Sequence, residues 1–120
     1  MTTTELKADF YIAQGDTGPS IVATLVDEDG DVIDLTGLVD TDVKFHMIDP
    51  SSSTEKVDNN SDTSVLTPKT DGKVQYDWQA GDTDTPGLFD GEFQVNFPGG
   101  QIITFPNYRY FTIQIREEVS

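Results

Sequence analysis

Apolar and polar residues alternate with a period of two through nearly the whole chain, and this restricts the fold more than any other feature. Successive side chains of a β-strand point to opposite faces, so alternation marks half-buried strands; an amphipathic helix needs apolar residues three and four apart. No stretch keeps a helical apolar period. Asp9–Ala13 puts Phe10 and Ile12 on one face, and Ser20–Val26 sets Ile21, Ala23 and Leu25 opposite Val22, Thr24 and Val26. Thr41–Ile48 directs Val43, Phe45 and Met47 inward and Asp42, Lys44 and His46 outward. Lys73–Trp78, Phe89–Phe97, Gln101–Phe105 and Tyr110–Ile115 repeat the pattern. Tyr76 and Trp78, with Phe45 and Phe93, are the expected centre of the core.

Turn signals separate these runs. Asp27-Glu28-Asp29-Gly30-Asp31 reads as a hairpin turn, Asp29-Gly30 being a pair that tolerates positive φ. Val32-Ile33 continues briefly, and Pro98-Gly99-Gly100 makes a second turn. Single helical turns are expected at most at Leu35–Leu38 and near Thr83–Pro86. Strands at this spacing predict an all-β sandwich of seven to eight mainly antiparallel strands. A length of 120 residues favours one domain. We place it at residues 9–116, between an N-terminal arm (1–8) and a short tail (117–120).

Pro50–Pro68 stands apart. It holds five Ser, the pair Asn59-Asn60 and only three aliphatics, Val57, Val65 and Leu66. It reads as a mobile inserted loop with at most two short edge strands. Asn59-Asn60-Ser61 is a glycosylation sequon, but four Asn and 22 Ser plus Thr produce about one such triplet by chance.

Charge constrains the partners. There are 22 Asp plus Glu against 7 Lys plus Arg, a formal net charge of −15. Hydrophobics at 35% and aromatics at 10% are too abundant for a disordered acidic tail. No basic patch exists to neutralise phosphates, so binding to a nucleic-acid backbone is not expected. With a folded area of roughly 6,400 Å² for this mass, each net charge occupies about 430 Å² and repels its neighbours. In molar salt the screening length shrinks to about 3 Å and the repulsion largely disappears. Asp outnumbers Glu 16 to 6 and there are only five Lys. Such a surface over a full core is what a protein working in concentrated brine would carry. The N-terminus lacks an apolar run and no stretch is long enough to span a bilayer. The expectation is a soluble protein without a cleaved signal and without a membrane partner.

Catalytic chemistry finds little footing. There is no Cys, which excludes disulfides, thiol catalysis and zinc–thiolate centres. Nucleophilic catalysis needs a base beside the nucleophile, and the only His is His46, on the outward face of a strand. It reads as a partly exposed surface histidine. No Gly-rich loop opens a helix to cradle phosphate. The chain reads as non-enzymatic and without a cofactor. Asp27, Asp29, Asp31 and Asp34 begin like a calcium loop, but Gly30 falls at the fourth loop position instead of the sixth and the twelfth is Leu38. The first three are retained as a candidate weak site for Ca²⁺ or another cation.

Two resemblances sharpen the fold. Asp84-Thr-Pro-Gly-Leu-Phe89 resembles the Asp-x-x-Gly-x-Tyr approach to the late strand of immunoglobulin-like domains, with Phe89 lacking the hydroxyl of the tyrosine corner. More broadly, Asp9-Phe-Tyr-Ile-Ala-Gln-Gly-Asp-Thr-Gly-Pro-Ser20 and Asp34-Leu-Thr-Gly37 before a Val-x-Phe-x-Met strand resemble the N-terminal domain of tailed-phage baseplate upper proteins. Gly72-Lys-Val-Gln-Tyr-Asp-Trp78, Gly81-Asp-Thr83, Pro86-Gly87, Glu92-Phe-Gln-Val95 and Thr104-Phe-Pro106 continue the likeness, which runs from about Asp9 to Ile115. It implies an immunoglobulin-like β-sandwich in a virion, made in the host cytoplasm and serving assembly or attachment. The implied partners are other virion proteins and further copies of itself. Joined to the acid composition, it implies a tailed virus of halophilic archaea. Tyr108, Arg109 and Tyr110 are the expected contact residues, since Tyr and Arg concentrate at interface centres. The alternative from another class is a small acidic DNA mimic that inhibits a nucleic-acid-binding host protein.

Overall fold

A computed structural model of the protein describes residues 9–59, 61–105 and 111–117. The strands are β1 (Phe10–Ala13), β2 (Ile21–Thr24), β3 (Val43–Asp49), β4 (Thr54–Asn59), β5 (Thr63–Val65), β6 (Lys73–Tyr76), β7 (Gly87–Asn96), β8 (Ile102–Phe105) and β9 (Phe111–Arg116). Their alternation translates directly into burial. Val43, Phe45 and Met47 are buried while Lys44 and His46 are only half covered, and Phe89, Gly91, Phe93 and Val95 line the inner side of β7.

Two sheets pack face to face. The larger runs β1-β9-β7-β3-β4 with β8 also on β7, and the smaller runs β2-β6-β5. This is the division of strands of an immunoglobulin-like sandwich. β1 lies parallel to β9, and the other pairings are antiparallel. β8 and β9 occupy the same side of β7, Phe105 facing Phe93 and Phe111 facing Gly91. Gly91 leaves room for the side chains of β9: a Cβ there would stand 2.8 Å from Ile113 Cδ1 and 3.0 Å from the Phe111 ring, which would have to shift.

An aromatic cluster closes the sandwich. Phe45 stacks on Tyr76 with centroids 4.5 Å apart and meets Trp78 edge-on at 5.7 Å and Phe93 at 5.2 Å. Thr63, buried on β5, ties the two layers by donating its hydroxyl to the Val43 carbonyl at 2.6 Å.

The differences from the sequence reading are local. Among the described residues there are nine strands instead of seven or eight, because Pro50–Pro68 contributes β4 and β5, each at an outer edge of a different sheet. Leu35–Leu38 is a tight turn, Leu38 N–H to Leu35 O at 3.0 Å, not a helical turn, and Thr83–Pro86 is irregular. Among the described residues two 3-10 turns sit at Asp40–Asp42 and Lys69–Asp71. The first takes residues assigned to the start of β3, so that strand begins at Val43. The second ends at Gly72, whose left-handed φ of 66° places Ile33 O and Val32 Cγ1 2.6 Å from where a Cβ would lie. Among the described residues no helix is long and apolar enough to cross a membrane.

Candidate functional site

The Asp27–Asp31 turn forms as expected. Val26 bridges Val32, Asp27 N–H bonds Asp31 O at 2.9 Å, and Gly30 takes φ +85°. The Asp27, Asp29 and Asp31 carboxylates lie within 4.8 Å of one another. Asp27 Oδ1, however, already accepts the backbone N–H groups of Asp29 and Asp31, both at 2.9 Å. The cluster is thus first a capped turn, in which the side chain replaces missing backbone partners.

Tyr108, Arg109 and Tyr110 lie outside the described residues. The described neighbours of their segment, Phe105 and Phe111, line a cavity of about 250 Å³ between the sheets with Ile21, Ala23, Leu25 and Phe93.

A second convergence of ionisable groups lies on the outer face of the larger sheet. His46, on β3, has a side chain only 17% exposed, with Nδ1 3.0 Å from Glu55 Oε2 and 3.1 Å from Asp58 Oδ1, both on β4. Glu55 and Asp58 are three residues apart, an odd number that in a regular strand puts side chains on opposite faces. A bulge resolves this. Met47 pairs with Val57 and Ile48 with Glu55, leaving Lys56 as the extra residue. The shift by one turns Glu55 to the face of Asp58 and His46, the re-aiming that bulges provide. Lys56 instead pairs with Asp84 at 2.5 Å and holds its carboxyl below the usual carboxylate range. Among the described residues no Lys or Arg pairs with Glu55 or Asp58. His46 Nε2 is buried without a hydrogen-bond partner among them. Glu92 stands opposite His46 on β7 and adds a carboxylate to this face.

Sequence reasoning placed His46 outward but missed its partners. Glu55 and Asp58 fall in the segment read as a loop, and Lys56 gives no glycine or proline signal of a bulge.

A third polar group is structural. Tyr76 OH donates to Asp82 Oδ2 at 2.5 Å, and the same oxygen accepts Gln79 N–H at 2.8 Å. Burial, then the Asp82 bond and its charge, push the phenol pKa far up, so it stays a neutral donor.

These features define an immunoglobulin-like β-sandwich carrying acidic turns and one imidazole–carboxylate cluster. No family model matches the chain, nor does any curated protein. Among solved structures it is similar to CopC from Methylosinus trichosporium OB3b, with a TM-score of 0.53 and 11% identity over 95% of this chain and 89% of that one. At that identity the likeness concerns the fold alone.

Proposed function

We propose that this chain is a non-enzymatic structural component of a tailed-virus particle, in the baseplate or tail, the neck or on the capsid surface. It works through protein–protein contacts in assembly or host attachment, in repeated copies. The observation that carries the reading is the ordered set of motifs from Asp9 to Ile115 that resembles the N-terminal domain of baseplate upper proteins. Some of those motif residues stand at turns and others within strands: Asp34-Leu-Thr-Gly37 precedes β3, Gly72 ends a 3-10 turn before β6, Glu92–Val95 lies within β7, and Thr83 is buried with its hydroxyl on Asp16 O at 2.8 Å. The sandwich also offers what an assembly part uses. β1 and β4 are outer strands of one sheet, and β2 and β5 of the other. Open edges can accept a neighbour's strand. Tyr11 and Ile102 expose more than half of their surface.

Mass spectrometry of purified particles tests the reading. A virion component appears in stoichiometric copies; a chain found in the infected cell and absent from particles is instead the DNA mimic. The setting in brine has its own test. Diluting NaCl from molar to about 0.1 M should lower the melting temperature, because the screening length grows to about 10 Å and the net charge of −15 repels itself. Stability that is flat or rises on dilution removes the halophilic setting.

A further inference from the structure

The imidazole–carboxylate cluster on β3 and β4 has too few protons for its acceptors. His46 Nδ1 can hold one hydrogen, yet two carboxylate oxygens stand at nearly equal range, 3.0 Å and 3.1 Å. One N–H cannot serve both along straight lines. The two distances have a second meaning. Donors about 2.0–2.2 Å from a common ion, at the right or tetrahedral angles of first-row coordination, are separated from each other by roughly 3.0–3.5 Å. All three ligand atoms lie within 4.8 Å of one another.

We propose that His46 Nδ1, Glu55 and Asp58 form a binding site for a divalent transition ion such as Zn²⁺ or Co²⁺. One imidazole nitrogen with two carboxylate oxygens selects borderline divalent ions over Ca²⁺ and Mg²⁺, which favour oxygen throughout. The ion replaces the single shared hydrogen and neutralises both carboxylates, which no Lys or Arg does among the described residues. The bulge at Lys56 is what builds the site, since without it Glu55 would face away from His46. The ring also enters with one face of its chemistry closed: Nε2 is buried, so Nδ1 is the nitrogen offered. Binding at Nδ1 leaves the hydrogen on Nε2, where no acceptor waits among the described residues. A missing outer partner of this kind weakens metal sites by about 10–100-fold, so binding is weaker than at a structural zinc centre. The bound ion joins outer strand β4 to β3 by a link other than backbone hydrogen bonds.

The experiment is calorimetric titration of the whole chain with Zn²⁺ in about 2 M NaCl, where diffuse attraction to the acidic surface is screened away. The expected result is one ion per chain and a raised melting temperature, with Co²⁺ giving a visible absorption band and Ca²⁺ failing to displace Zn²⁺. His46→Asn should abolish binding. Asp58→Asn, which leaves the ring in place, should weaken it by about tenfold or more. Asp27→Asn, in the other acidic cluster, should leave it unchanged. Equal Zn²⁺ binding by wild type and His46→Asn overturns the site, as does displacement by equimolar Ca²⁺ or binding that vanishes in 2 M salt.

Discussion

Acid plays two different parts in this molecule, and the turns and the outer sheet face show them side by side. Among the described residues five aspartates, Asp27, Asp34, Asp42, Asp49 and Asp82, accept with their side chains a backbone N–H two or three residues away. Glu55 and Asp58 on β4 instead face an imidazole across a strand boundary. Asp, with a single methylene, reaches an amide two or three residues away at little entropic cost, which Glu does not. Part of the excess of Asp over Glu is therefore turn chemistry that any solvent would select. The solvent-directed acid is the remainder, on strand faces and loop tips.

The contrast can be broken most forcefully at Asp82. Asp82→Ala leaves the buried Tyr76 hydroxyl and Gln79 N–H without their acceptor and should cost about 2 kcal/mol in denaturant unfolding. Adding Tyr76→Phe should return part of that loss, because the orphaned hydroxyl is then gone.

A smaller effect is expected in acid. The Ser51 and Thr36 hydroxyls and amides hold Asp49 and Asp34 below the ordinary 3.8, and Ser20 with Gln75 does so for Asp77. A folded-state value below the unfolded one gives stability that is present above the unfolded value and lost as pH falls through the folded value. Stability should therefore drop below about pH 4. Asp34→Asn with Asp49→Asn should flatten that slope in denaturant titrations at several pH values.

Asp58→Asn should change metal-free stability least, within about 0.5 kcal/mol and toward greater stability at low salt. If it destabilises as much as Asp82→Ala, the distinction between the two kinds of acid is wrong.

What the sequence disclosed follows the range of the physics involved. β3 and β7 were legible because each has a full alternating run, and the Asp27–Asp31 turn because its residues act on one another locally. β4 was faint: Thr-Glu-Lys-Val-Asp-Asn has one aliphatic, since an outer strand buries only Val57. The parallel pairing of β1 with β9 left no local trace, being a contact between residues a hundred positions apart. The site on β3 and β4 was half legible. Outward alternation located His46, but the shift that gathers Glu55 and Asp58 arises only when two strands are laid together.

That parallel pairing has a mechanical consequence. Phe10 to Ala13 lie alongside Ile113 to Arg116 in the same direction, with Asp9 before the first strand and Glu117 after the last. Tension drawn between these two ends pulls the strands past each other along their length. The rungs of that ladder are then loaded together and must yield together, whereas a hairpin tugged at its open end unzips rung by rung. The fold thus carries a latch against stretching where the chain enters and leaves the sandwich, suited to a part that must hold while its surroundings move.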